Sequence, residues 1–325
     1  MMPVMGMAAI MGAADTTKEA CKPAGPKISV GMPVYNGGEW LSEAIDSILG
    51  QTFHDFELII ADNASTDNTA DICRHYSERD PRIRYYRSAR NIGASENYNV
   101  VFRYARGRYF KWASANDYCD KTLLMKCADV LDSRPDVVLC YAKTKLIHEP
   151  GGEAEDYHDG LDLQDEDACQ RFRRFMQNIR LNNAMNGLIR TEVLAGTDLM
   201  KKHLSEDINL MAELTLHGKF VEIPEYLFFR RISETCATSM QSQLDVLDHY
   251  DPQNESLMVF QQWQIYLDYF LAVWRSPLNA GEKLALYRFL ARRGIINRHD
   301  LASDFFHSLR RVMGFILSGE IQHRP

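Results

Sequence analysis

The stretch from Glu57 to Asp67 constrains the fold more than any other. Leu58-Ile59-Ile60-Ala61 is a continuous apolar run with two β-branched residues, short enough for a strand buried on both faces, as in a parallel sheet. It stops at Asp62-Asn63, and Ala64-Ser65-Thr66-Asp67 leads into a helical pattern in which Thr69, Ile72, Cys73 and Tyr76 share one face. Ser65 or Thr66 is expected as the N-cap, with Asp67 in the first turn near the positive end of the helix dipole. A strand ending in an acid and followed by a helix forms the edge at which open α/β sheets bind ligands. A carboxylate there accepts two hydrogen bonds, which suits a ribose diol or the N–H of a pyrimidine ring. The alternative is a polar turn that only starts the helix.

The same unit recurs on either side. Ile28-Ser29-Val30-Gly31-Met32-Pro33 reads as an earlier buried strand stopped by Pro33, and Val34-Tyr35-Asn36-Gly37-Gly38 as a loop able to take left-handed backbone angles. Trp40, Leu41, Ala44, Ile45, Ile48 and Leu49 then form a helical stripe. Arg82 to Arg87 alternates as a third strand. Asn91-Ile92-Gly93 leads into a helix carrying Tyr98, Val101, Phe102 and Ala105, which Gly107 is expected to end. Strand following helix in this way predicts an α/β fold with a mostly parallel central sheet and right-handed crossovers. No G-x-G-x-x-G and no Walker A motif occurs in this region, which weakens a dehydrogenase or NTPase reading.

Composition narrows the class further. A net charge of -7 argues against sequence-independent nucleic-acid binding, which needs a basic footprint. Seven scattered cysteines form no C-x-x-C pair and show no zinc spacing with His, which fits reduced thiols in the cytoplasm. Met1 to Ala14 is apolar, but the first positive side chain is Lys18, so residues 1–26 are expected to be a disordered tail rather than a signal peptide. Nothing later reaches the roughly 18 consecutive apolar residues of a membrane span.

Arg108-Tyr109-Phe110-Lys111-Trp112 is a fourth strand, running into Ala113-Ser114-Ala115-Asn116-Asp117-Tyr118-Cys119-Asp120. Acid and amide again stand at a strand's carboxyl end. Mg²⁺ or Mn²⁺ prefers carboxylates plus substrate phosphate oxygens, and Asp117 supplies the protein half of such a site. The alternative, a helix N-cap, fits Asp120 better than Asp117. Val137 to Tyr141 follows as a fifth strand.

Taken together, Pro33-Val34-Tyr35-Asn36, Ala61-Asp62-Asn63-Ala64-Ser65-Thr66-Asp67, Asn91-Ile92-Gly93 and Asn116-Asp117 resemble the inverting family 2 glycosyltransferases in order and spacing, over residues 27–145. The resemblance implies the GT-A nucleotide-diphospho-sugar transferase fold. It implies that Pro33, Tyr35, Asp62, Asn91 and Asn116 bind the nucleotide, with Asp117 on the metal. Residues 27–145 would be the nucleotide-sugar half, 146–240 the acceptor-side half of the same domain, and 241–325 a C-terminal helical extension. Family members often carry further acids where this chain reads Ser114-Ala115-Asn116-Asp117. A metal here would therefore lean on the donor diphosphate, with Asn116 able to add a carbonyl oxygen.

In the second half, residues 146–170 contain no Lys or Arg while acids accumulate from Glu149 to Asp167, as in a solvated mobile loop, or else a lid or acceptor loop. Gln170 to Ile179 is helical in pattern. Asn182 to Arg190 carries a Gly-containing stretch comparable to one that lies near the transferred sugar in the family. In His203-Leu204-Ser205-Glu206-Asp207, Ser205 and two acids are what any helix start wants. The resemblance makes Glu206-Asp207 the family's acidic pair and Asp207 the general base. Phe220 to Pro224 and Leu227 to Arg231 read as strands. Arginines beside hydroxyls suit a diphosphate. The family often has Arg-x-His here, and Ile232 stands at the His position, so only Arg230 is carried over, with a surface salt bridge as the alternative.

From Glu255 onward the pattern is helical. The last helix sets Phe305, Phe306, Leu309, Val312, Met313 and Ile316 beside Arg310 and Arg311. Such a face either rests on a membrane bearing a lipid-linked acceptor or packs on the domain or on a second subunit. The expected activity is transfer of a sugar from a nucleotide-diphospho-sugar to an acceptor hydroxyl with inversion, in a protein of the cytoplasm or the inner face of the membrane. The resemblance favours a uridine nucleotide and a cell-surface polysaccharide or glycolipid pathway. The rivals are a sugar nucleotidyltransferase, which wants a glycine-rich basic loop where Pro33-Val34-Tyr35-Asn36 stands, and a non-catalytic sugar- or nucleotide-binding protein.

Overall fold

The computed structural model describes residues 25–203, 205–232 and 260–318. The tail expected over 1–26 and the segment Ile232 to Ser239 lie almost entirely outside the described residues. Strands β1 (Ile28–Val34), β2 (Phe56–Asp62) and β3 (Ile83–Arg87) pair in parallel, and β4 (Tyr109–Trp112) adds in parallel on the other side of β1. Between them run helices α1 (Leu41–Leu49), α2 (Thr69–Ser77) and α3 (Ala94–Arg103). Every residue of β1 and β2 is buried, as their unbroken apolar runs predict. Leu58 and Ile60 enter the core shared with α1 and α4 (Leu123–Ser133), while Ile59 and Ala61 enter the one shared with α3. That alternation follows from the two-residue repeat of a strand.

Beyond β4 the sheet becomes mixed. It continues through β5 (Tyr118–Cys119), β6 (Val137–His148), β7 (Glu153–Tyr157), β8 (Leu188–Arg190) and β9 (Lys219–Ile232), in the order β3-β2-β1-β4-β8-β6-β9-β5 with β7 on β6. β8 runs antiparallel to both β4 and β6, and β9 parallel to β6. The two strands expected over 220–231 are one strand whose register shifts where Ile223 gives way to Tyr226. Pro224 falls in that irregularity, where a residue without an N–H is tolerated. The outer edge of the sheet is also more structured than acid content suggests. β7 lies within the expected loop and pairs with β6, its acids facing bases across the ribbon: Lys145 Nζ to Asp156 Oδ1 is 2.6 Å and His148 Nε2 to Glu155 Oε2 is 3.1 Å. Leu161 and Leu163, further along, are fully buried.

Helix α3 stops at Arg103, short of the expected Gly107. Gly107 instead sits where the chain enters β4, so close to β1 that a Cβ would lie 2.5 Å from the Ser29 backbone nitrogen. Ser29 Oγ accepts from Gly107 N at 2.8 Å and donates to Glu57 Oε1 at 2.7 Å. Burial pushes the Glu57 carboxyl up, but hydrogen bonds from Arg106, Arg84 and Ser29 outweigh it and hold it below its ordinary value.

The C-terminal helices do not form a core of their own. α5 (Ala168–Asn178), α6 (Thr191–Leu194) and α7 (Glu206–Thr215) are followed by α8 (Gln261–Arg275), α9 (Ala280–Ile296) and α10 (Arg298–Ser318). Tyr269, Ala272 and Val273 of α8 and Leu286 and Leu290 of α9 are buried in the cluster that holds Phe172, Phe175 and Leu210. Arg275 pins α8 to α7 through both oxygens of Glu213, at 3.1 and 3.0 Å.

Candidate functional site

The carboxyl ends of β1 and β2 carry two loops that interlock. Asn36 N donates to Ser65 Oγ at 2.9 Å, and Asn36 Oδ1 accepts from Thr66 N at 2.8 Å. Gly37 N reaches Thr69 Oγ1 at 3.0 Å, and Gly38 N reaches Asp67 Oδ2 at 3.0 Å. Asn36 (φ 50°) and Ala64 (φ 60°) both take the left-handed conformation that such tight turns need. The loop's hydroxyls are therefore engaged between loops. Helix α2 starts at Thr69 with Asn68 in the N-cap position, so neither Ser65 nor Thr66 caps it, correcting the sequence expectation.

Pro33 is buried opposite Ala61, and Tyr35 stands exposed on the first loop. Asp62 is wholly buried. Its Oδ1 accepts from Ser65 N at 2.8 Å, and its Oδ2 accepts from Tyr85 Oη at 2.9 Å beside Arg87 Nε at 3.2 Å. Both oxygens are thus engaged within the chain, and a base or ribose reaches Asp62 only if Arg87 or Tyr85 yields. Asn63, to which the sequence reading gave no role, ties this edge to the next loop. Its Nδ2 donates to Asn91 Oδ1 at 2.8 Å and its Oδ1 accepts from Ile92 N at 2.8 Å. Its position beside Asp62 at a buried strand end was the available signal. Pro33, Tyr35, Asp62 and Asn91 accordingly meet at one edge of the sheet.

The loop after β4 brings in the next group. Asp117 is 8 % exposed and its Oδ1 accepts from Arg231 N at 2.9 Å. Burial pushes its carboxyl up to about 6, against the pull of that N–H, of Arg230 and Lys111, and of the Ser114 hydroxyl. Asn116 Oδ1 is hydrogen-bonded to Ser114 Oγ, and its backbone oxygen accepts from Arg231 Nη1 at 2.6 Å. Arg231 is clamped between the rings of Trp40 (4.3 Å) and Tyr118 (4.9 Å), with Nη2 on Glu43 Oε2 at 2.5 Å. It shapes this loop, whereas Arg230, the residue carried over from the resemblance, is half-buried with Nη1 on Asn183 Oδ1 at 2.8 Å. Asp120 does not cap α4; it accepts from Thr122 N at 2.8 Å, just ahead of the helix.

Among the described residues no three His, Cys, Asp or Glu groups gather as a metal site. Asp117 alone fits a divalent cation: a buried carboxylate that its neighbours leave short of compensating charge, with one oxygen committed to the backbone. That donor set suits an ion brought by a diphosphate.

Residues from the second half of the chain reach this region, Arg231 N through Asp117 and the adjacent Arg230 through Asn183. Asp207 is the second residue of α7, half-buried, and its Oδ2 accepts from Asn182 Nδ2 at 3.0 Å. Glu206 points elsewhere, 5 % exposed against Ser95 Oγ at 2.5 Å, and burial pushes its carboxyl well above the ordinary range. Ser205 holds the N-cap position in the left-handed conformation (φ 61°) and makes no capping bond, so the expected cap is absent. Burial raises the Tyr98 phenol, and next in weight come the charges of Asp207, Asp117 and Glu206 opposed by Arg230. One hydroxyl thus lies within the fields of residues from both halves of the chain. The turn Asn183–Asn186 carries Asn182 and Asn183 to this point. Gly187 follows it so tightly that a Cβ would sit 2.6 Å from Cys140 O.

Behind Asn183 lies Asp159, 3 % exposed, whose Oδ2 accepts from Thr144 Oγ1 at 3.3 Å and whose Oδ1 has no hydrogen-bond partner among the described residues. Burial pushes its carboxyl up to about 7, from 3.8. The folded protein therefore binds this proton more tightly than the unfolded chain, and the stabilisation it gives at low pH is lost as pH rises from about 4 to about 7. Asp159→Asn is expected to stabilise the protein by about 2–4 kcal/mol at pH 8, the gain vanishing below about pH 4, as measured by urea unfolding across that range.

Comparison with known proteins places these features. Residues 29–186 match the family described as Glycosyl transferase family 2. The chain is 33% identical over 97 residues to the glycosyltransferase GlyG of Streptococcus pneumoniae serotype 4, covering 30% of this chain and 32% of that protein. It is 33% identical over 128 residues to an uncharacterized glycosyltransferase of Methanocaldococcus jannaschii, covering 39% and 44% respectively. The chain spans less than half the length of the curated relatives it matches. Among solved structures, S. aureus TarS 1-349 in complex with UDP aligns with a TM-score of 0.60 at 19% identity, covering 91% of this chain and 76% of that one. Its complex with UDP-GlcNAc gives 0.61 at 18%, covering 91% and 77%. The shared fold is the α/β GT-A arrangement that the resemblance implies, and residues 29–186, just under half of the chain, are what is similar to Glycosyl transferase family 2.

Proposed function

We propose that the chain transfers a sugar from a nucleotide-diphospho-sugar to an acceptor hydroxyl with inversion at the anomeric carbon. The observation that carries this reading is the run of contacts that joins residues from opposite halves of the chain: Asp207 accepts from Asn182, the adjacent Asn183 accepts from Arg230, and Asp117 accepts from Arg231 N. The nucleotide would lie over the loops of Pro33, Tyr35 and Asn91, with Asp62 setting their shape from below. Its diphosphate would extend toward Asp117 and Arg230. Asp207 would take the proton from the acceptor hydroxyl as that oxygen attacks the anomeric carbon and the nucleoside diphosphate leaves from the opposite face. Arg230 would meet the charge that develops on the leaving group. A Mg²⁺ or Mn²⁺ ion held by Asp117, with Asn116 beside it, would supply Lewis-acid and templating chemistry when bound.

The TarS structures are complexes with UDP and UDP-GlcNAc, which favours a uridine nucleotide here, and the family resemblance favours an acceptor of a cell-surface polysaccharide or glycolipid pathway. The test is release of nucleoside diphosphate from a panel of UDP-, GDP- and dTDP-sugars, with and without Mn²⁺, in the presence of saccharide and lipid-linked acceptors. Turnover of one donor class supports the assignment. Binding of a nucleotide without turnover of any donor moves the chain to the non-catalytic reading, and pyrophosphate-dependent formation of a nucleoside triphosphate moves it to a nucleotidyltransferase.

A further inference from the structure

An apolar groove lies between α8, α9 and α10. It encloses about 710 Å³ and is walled by Trp263, Leu267, Phe270, Ile295, Phe305 and Phe306. Phe270 packs against the core, but the others are exposed: Leu267 is 56% exposed, Phe306 58% and Ile295 64%. The α10 wall is held open by built contacts. Trp263 Nε1 donates to Leu301 O at 3.1 Å and Gln262 N to Asp304 Oδ2 at 2.9 Å, so the groove is a fixed feature of the helix packing. On a surface of this kind a contiguous apolar patch marks an interaction site.

The charge around the groove selects its partner. The segment 280–318 holds seven Lys and Arg against three Asp and Glu, on a chain whose net charge is -7. Arg288, Arg292, Arg298 and Arg310 are exposed. A second copy docking face to face would bring two such basic rims together. Arg298 lines the groove and the other three are exposed on the same two helices, so an anionic bilayer offers acyl chains to the groove and phosphates to these arginines. Trp274, 70% exposed at the end of α8, suits the same boundary, where indole rings concentrate.

We infer that α8, α9 and α10 dock the protein on the surface of an anionic lipid bilayer, with Leu267, Ile295 and Phe306 entering the acyl region and the arginines on the headgroups. No helix among the described residues is long and apolar enough to cross a membrane, so the contact is interfacial. The other side of α8 packs on α7: Asn209 Nδ2 donates to Ile265 O at 3.3 Å. The docking does not depend on the transferase reading.

The test is flotation of the full chain with phosphatidylcholine vesicles and with vesicles containing about a third phosphatidylglycerol, without any donor. Affinity for the anionic vesicles is expected to be at least about tenfold higher, and to fall between about 50 and about 300 mM salt, as expected for arginines on anionic lipid. Leu267→Glu with Phe306→Glu should abolish flotation, and Arg292→Glu with Arg310→Glu should remove the preference for anionic lipid. Both pairs change exposed side chains and should leave the circular dichroism melt in place. Equal binding to neutral vesicles, or no flotation at all, overturns the proposal. A dimer by light scattering that Phe306→Glu dissolves would also overturn it and assign the groove to a second copy.

Discussion

Asp207→Asn is expected to lower kcat by about a thousandfold while leaving affinity for the nucleoside diphosphate within about twofold, as read by steady-state kinetics and by titration. Asp207 and Glu206 are adjacent in sequence, but the fold gives them different roles. Glu206 is sealed against Ser95, away from Asp207's partner Asn182, and burial pushes its carboxyl well above the ordinary range. Asp207 is half-exposed, and Asn182 fixes one of its oxygens, leaving the other directed by that bond. An asparagine in its place keeps the shape and the position at the start of α7 but has no basic oxygen. Loss of nucleotide affinity in this variant would sink the role as base.

The second large effect is expected from Asp117→Asn. Its kcat/KM should fall by about a hundredfold or more, and any metal-dependent part of donor affinity should disappear, as titration with and without Mn²⁺ would read. The asparagine side chain keeps an acceptor for Arg231 N, so the loop should stay in place. The same change removes a charge that burial disfavours. Because the Asp117 carboxyl is pushed up to about 6, the folded state loses stability as pH rises through that range, and the variant should melt higher than the parent above it. Full activity in an Asp117→Asn variant that melts higher than the parent would show that no cation is held there.

The first half of the fold was legible because its signals are local. Leu58 to Ala61 and Ile28 to Pro33 announce themselves as doubly buried strands, Asp62 marks the end of one, and Asn91 and Asp117 fall in the loops after β3 and β4. What was not legible depends on distant partners. Ser65 and Thr66 are fair N-caps by propensity, but Asn36 claims them from a loop 29 and 30 residues away, and α2 starts later. The acids from 149 to 167 look like a solvated loop until Lys145 and His148 stand opposite them across a ribbon. Asp159 among them is buried only because Leu161 and Leu163 pull that segment into the core. Arg230 and Arg231 are neighbours of equal chemistry, and strand alternation sends one to Asn183 and the other between two aromatic rings. The mixed second half of the sheet has the same cause, since β8 is three residues long and its direction is set by what it pairs with.

The measurement that tests the central claim most directly is calorimetric titration of the protein with UDP, GDP and dTDP, each with and without Mn²⁺. One of them, UDP by preference, is expected to bind with micromolar-range affinity; Mn²⁺ should strengthen that binding, and Asp117→Ala should remove the strengthening. Heats indistinguishable from dilution for all three, in protein shown to be folded, would contradict a nucleotide-sugar site at this sheet edge.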